Sequence, residues 1–75
     1  MNLAEATKTK STCAYKIVSL NGDVVLLARL RELGFIPGEP LVIAGVANVF
    51  GEPILVEIRG ATVALRKSEA ECVQL

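Results

Sequence analysis

The side chains best suited to chemistry are sparse in this sequence. It has no histidine, so the commonest general base and metal ligand is missing. Its two cysteines, Cys13 and Cys72, stand alone, whereas a zinc site draws on paired ligand spacings. Gly34 and Gly38 lack the G-x-x-x-x-G-K-[ST] frame that cradles phosphates. The eight carboxylates are scattered, and each reads as a solvated charge. No enzyme, no high-affinity iron or zinc site and no cofactor is predicted, and a binding module is the class that remains.

The chemistry left is that of contact. On a helical wheel Val25, Arg29 and Glu32 lie away from a leucine stripe, with Arg31 at its edge. Phe35 follows the helix, and Val49 and Phe50 form the tip of a loop, where binding residues concentrate. Arginine binds by planar bidentate pairing and phenylalanine by buried area. Two readings stand side by side. One is an ordinary solvated surface, since isolated surface charges are normal. The other is a docking surface made of Val25, Arg29, Arg31, Phe35, Val49 and Phe50. The outer side of a hairpin at 54–66, with Glu57, Arg59 and Arg66, is the remaining candidate surface.

The element that must position these residues runs from Asp23 to Glu39. Asp23 suits a helix N-cap, where its carboxylate could accept a first-turn N–H. Leu26, Leu27, Leu30 and Leu33 then share one face. Gly34 falls where a left-handed residue ends a helix, and Pro37-Gly38 reads as a type II turn. The stripe predicts Leu26, Leu30 and Leu33 packed on Ile17, Val42, Ile54, Val56, Val63 and Leu65.

Residues 1–11 read as a flexible N-terminal arm, or at most a turn of helix at 3–6, and 12–75 as the folded domain. A first strand is expected at 12–20, from the alternation of Cys13, Tyr15 and Ile17 with Ala14, Lys16 and Val18. Further strands are expected at 40–46, 54–59 and 62–66, the last two joined by a tight turn at Gly60-Ala61. Ser68 to Glu71 fits a capping box, and 72–75 closes the fold. About five short strands, one helix after the first and a helical turn before the last close most economically into a small, mainly β barrel.

Bulk properties narrow the partners. A chain of 75 residues is one domain. Its net charge of zero counts against nucleic acid, which calls for a clustered basic face. No apolar run approaches the length that spans a membrane, and no secretory signal is present, so the expected compartment is the cytoplasm and direct membrane insertion is not expected. Two cysteines read as free thiols rather than a disulfide framework. The apolar share of 52% leaves surface for self-association or a partner.

The motifs carry a resemblance. The stretch R-L-R-E-L-G-F-I-P-G-E at 29–39 resembles the ferrous iron transport protein A (FeoA) family, with its leucine-rich helix ending in L-G-x-x-P-G. Gly51-Glu52-Pro53 is similar to the family's G-D-P before a strand. Val56-Glu57-Ile58-Arg59-Gly60 and Val63-Ala64-Leu65-Arg66-Lys67 are similar to its hairpin, and 68–75 to its closing segment. The likeness covers 15–75 with spacing intact. It departs at 1–13, which lacks the usual proline and glycine turn, and at Ala61, where an aromatic is usual. The resemblance implies an SH3-like barrel serving bacterial ferrous iron uptake in the cytoplasm, by protein–protein contact with a membrane permease that carries a GTPase domain. The alternative it implies is a regulatory or dimerisation module related to the C-terminal domain of iron-dependent repressors. No residue here implies iron chemistry in the domain itself.

Overall fold

The computed structural model describes residues 1–8, 14–46 and 52–75. Its elements run α1 (Leu3–Ala6), β1 (Tyr15–Lys16), β2 (Ser19–Leu20), α2 (Val24–Glu32), β3 (Pro40–Val46), β4 (Ile54–Ile58), β5 (Ala61–Leu65), α3 (Lys67–Ala70) and β6 (Val73–Gln74). The described strands form two antiparallel sheets, one of order β1-β3-β4-β5 and one pairing β2 with β6. They wrap one core in which Phe35, Leu3, Ile17, Leu30, Leu41, Ile54, Leu65, Val56 and Val73 are fully buried.

Of the two readings of the first residues, arm or turn of helix at 3–6, the structure has the helix, α1, packed into the folded body. A reciprocal capping box starts α1. The Asn2 side chain accepts the Glu5 N–H at 2.8 Å, and the Glu5 carboxylate accepts the Asn2 N–H at 3.0 Å. Leu3, Ala4 and Ala6 are buried. Leu75 N–H donates to the Met1 carbonyl at 2.8 Å, and Asn2 bridges to Gln74. The rest of the expected arm, 9–11, lies outside the described residues.

The single strand expected at 12–20 is two. Ile17 N–H donates to the Glu39 carbonyl at 3.0 Å, while Val18 N–H donates to Gln74 at 2.7 Å. The chain therefore changes sheets between these residues. The alternation of apolar and polar side chains does not show the corner, because it continues through it. Cys13 lies outside the described residues.

Asp23 occupies the N-cap of α2, but its side chain makes no cap hydrogen bond. Its backbone carbonyl accepts the Leu27 N–H at 2.9 Å. At the other end Leu33 is the C-cap. Gly34 N–H donates to Arg31, and Phe35 N–H to Leu30, both at 3.0 Å. Those two bonds are a Schellman motif, which needs a left-handed residue after the cap and brings the next side chain back onto the helix. Gly34 supplies φ +105°, and Phe35 packs into the core with Leu30.

The leucine stripe is only partly core. Leu30 is buried, Leu26 and Leu27 are half-buried, and Leu33 is 38% exposed. In β3 it is Leu41 that is buried and Val42 that is half-buried, and the pairing with β4 shifts register between Ile43 and Gly45. Strand β4 alternates as expected, with Ile54, Val56 and Ile58 inward.

The hairpin turns at Arg59-Gly60, one residue earlier than predicted, because Ile58 pairs with Ala61. Both turn residues have positive φ, +52° and +79°, as a type I′ hairpin requires. The capping box expected at Ser68 and Glu71 moves two residues back. Arg66 is the N-cap of α3, and the Glu69 carboxylate accepts its N–H at 2.9 Å.

Candidate partner-binding face

Helix α2 displays the face that the wheel places away from the leucines. Val25 is 76% exposed and its neighbour Val24 77%. Arg29 and Arg31 are exposed one turn and more further along. Two adjacent exposed valines on a helix offer apolar area that a partner would bury.

Phe35 does not belong to this face. It is wholly buried, drawn inward by the Schellman geometry that its position after Gly34 sets up. Val49 and Phe50 lie outside the described residues. The structure thus brings Val25, Arg29 and Arg31 together on one helix and moves Phe35 to the core.

A residue not singled out from the sequence governs how Arg29 is held. The Glu69 side chain is 9% exposed, and its Oε2 lies 3.7 Å from Arg29 Nε, while Oε1 accepts the Arg66 N–H. A concavity of about 270 Å³ lies over this junction, lined by Leu26, Arg29, Arg66, Ser68 and Glu69. Because the Arg29 side chain is 70% exposed, water screens the pair and it contributes little stability. Its effect is to tie the middle of α2 to the start of α3. The capping-box frame points by residue type to Ser68 and Glu71, because Arg66 is not a residue type that marks an N-cap.

The opposite candidate surface is the hairpin. Glu57, Arg59 and Arg66 are all exposed, as expected. Arg59 Nε lies 3.7 Å from Glu39 Oε1. A shallow recess of about 310 Å³ at the tip is formed by residues 57–62.

Among the described residues no group of three or more His, Cys, Asp and Glu is placed to hold a metal ion. Cys72 is a buried free thiol, and its Sγ donates to the Ser68 carbonyl at 3.4 Å. Burial pushes its pKa up, and the charges of Glu71, Glu69 and Asp23 act in the same direction. No helix among the described residues is long and apolar enough to cross a membrane. What the described residues offer is contact surface, on α2 and on the hairpin.

Comparison with known proteins agrees with the fold. The FeoA domain family matches residues 1–75. No curated protein matches the chain. Iron(II) transport protein A from Clostridium thermocellum is similar at 31% identity and TM-score 0.85, covering 99% of this chain and 43% of that one. The present chain thus spans less than half the length of that relative. Stenotrophomonas maltophilia FeoA, a prokaryotic SH3 domain protein crystallised with zinc, is similar at 34% identity and TM-score 0.79, covering 99% and 87%. The manganese regulator SloR shares the fold alone, at 14% identity and TM-score 0.75, over 97% of this chain and 32% of that one. The two small sheets and the inserted helix are thus an SH3-like domain, and the chain belongs to the FeoA family.

Proposed function

We propose that this chain is a small accessory protein of bacterial ferrous iron uptake, acting by protein–protein contact with the cytoplasmic part of a GTPase-containing membrane permease. The observation that carries the reading is the family match over residues 1–75, together with relatives described as iron(II) transport protein A and FeoA. The absence of a charge surplus counts against nucleic acid as partner. The compartment in this reading is the cytoplasm.

The contact surface is the exposed face of α2, with Val25, Arg29 and Arg31, and with Val49 and Phe50 of the 47–51 segment as further contributors. Exposed valines beside arginines supply apolar area and bidentate pairing together, the combination that dominates interface energies. Iron is the cargo of the permease and not a resident of this domain. Self-association through the same apolar residues would compete with the permease for this face.

The test uses cells whose growth depends on this uptake system. Val25→Asp with Arg29→Ala is expected to abolish ferrous iron uptake and to weaken pull-down of the permease's cytoplasmic part, with a melting temperature close to that of the unmodified chain. Intact uptake and pull-down in the folded double variant would overturn the α2 face. Unchanged uptake after deletion of the whole chain would overturn the accessory role.

A further inference from the structure

Strand β5 ends the four-stranded sheet. Its hydrogen-bonding alternation follows from the two-residue turn. Ile58 and Ala61 flank that turn, so they form a hydrogen-bonded pair, as do Val56 with Val63 and Ile54 with Leu65. The intervening residues, Thr62 and Ala64, therefore aim their N–H and C=O groups away from β4. Among the described residues no backbone or side-chain group pairs with them.

Edge strands are normally blunted by a charge, a proline, a bulge or short length. The sheet's other edge, β1, is two residues long and carries Lys16. Strand β5 has five residues, Ala-Thr-Val-Ala-Leu, with none of these devices. Ala61, Thr62 and Ala64 are exposed and small, so among the described residues no side chain of the strand itself blocks an incoming backbone.

The charges at its ends select what can dock. Arg59 precedes the strand, and Arg66 and Lys67 follow it, all exposed. Two copies of β5 related by a two-fold axis would run antiparallel, which sets Arg59 of one chain against Arg66 and Lys67 of the other. Like charges in that register disfavour a pair of identical edges. Acidic groups near the edge modify this field. Glu39 lies 3.7 Å from Arg59, Glu52 accepts the backbone N–H of Lys67 at 2.8 Å, and Glu57 faces Thr62 across the hairpin. The last of these disfavours a carboxylate at the middle of an added strand, but not at its ends.

We infer that the β5 edge is a strand-addition site for an extended segment of a partner protein, uncharged in its centre and acidic at both ends. The partner's backbone hydrogen-bonds to Thr62 and Ala64, and its terminal carboxylates lie beside Arg59 at one end and Arg66 and Lys67 at the other. The site is on a different element from α2, so it stands or falls separately from the proposed contact with the permease.

Amide hydrogen exchange, read residue by residue by NMR on the intact unmodified chain, tests it. The probe is a short synthetic peptide with alternating Thr and Val in its centre and Glu at both ends. In the free protein the amides of Thr62 and Ala64 should exchange faster than those of Val63 and Leu65. Saturating peptide should slow both outward amides, and a peptide with Lys in place of Glu should bind about tenfold more weakly. Arg59→Glu with Arg66→Glu should reverse that preference. Absence of protection at Thr62 and Ala64, or equal binding of the two peptides, would overturn the inference. So would protection that rises with protein concentration alone, since that would identify a second copy as the occupant.

Discussion

A Cβ added to Gly22 would lie 2.7 Å from the Sγ of Cys72. The two residues are joined again through the backbone, where Asn21 N–H donates to the Cys72 carbonyl at 2.9 Å. The loop that opens α2 is thus pressed directly onto the residue that opens β6. Gly22 also has φ +151°, in the region that side chains avoid.

Gly22→Ala is accordingly expected to destabilise the domain by about 1–3 kcal/mol, as overpacking does. Cys72→Ala should recover part of that loss in the double variant, because it removes the nearest atom, while the φ cost stays. A double-mutant cycle by urea denaturation measures the coupling. Strictly additive losses would show that the contact between the two residues is not what makes Gly22 necessary.

The helix offers a contrast within one stripe. Leu30→Ala should cost about 2–5 kcal/mol, the range for a fully buried leucine. Leu33→Ala, at a position 38% exposed, should cost under about 1 kcal/mol. Phe35→Ala should cost about 3–5 kcal/mol, and any loss of binding in that variant would follow from unfolding. Thermal melts of the three variants decide the order.

Glu69 and Arg29 should behave unequally. Glu69→Ala removes a buried acceptor and leaves the Arg66 N–H without its partner, at about 1–2 kcal/mol. Arg29→Ala should change stability by under about 1 kcal/mol, since the guanidinium is solvated. Equal losses in chemical denaturation would mean that the ion pair, not the cap, is what Glu69 provides.

The raised pKa of Cys72 has a consequence at alkaline pH. The folded state holds the thiol proton more tightly than the unfolded chain does. Its contribution is therefore complete below the ordinary thiol range and is lost as pH rises through the raised folded value. Stability should fall through that window, and Cys72→Ala should reduce the slope. Urea midpoints measured from neutral to alkaline pH for both proteins provide the comparison. An identical pH dependence would count against burial as the cause.

Much of this architecture can be read from residue types. The bounds of β3, the inward residues of β4 and the helix stop at Gly34 follow from local chemistry: β-branched runs, a period of two and a glycine after a leucine. What local chemistry does not carry is placement between elements. Ile17 and Val18 continue one alternation while bonding to different sheets, because the corner is set by Glu39 and Gln74, far off in sequence. Leu3 and Ala6 look too few to bury anything until α3 and β6 arrive beside them. Phe35 is a surface candidate by its place beside the helix face, and the bonds from Phe35 to Leu30 and from Gly34 to Arg31 turn it inward. The exposed residues of the α2 face were legible as a wheel, but the role of Glu69, which lies beside that face and caps α3, was not, since Arg66 is not a residue type that marks an N-cap.

The hydrogen bond from Leu75 to the Met1 carbonyl and the bridge between Asn2 and Gln74 place the first and last residues side by side. Such a module enters and leaves a longer polypeptide at one point, like a bead on a loop rather than a link in a rod. It could be set into an exposed turn of a host protein without forcing the host's flanking segments apart. A short glycine linker between Met1 and Leu75 could likewise close the backbone into a circle, with new ends cut elsewhere. Conversely, a bulky fusion at either end of this chain would press on the pairing of Asn2 with Gln74, the seam by which the ring of elements is shut.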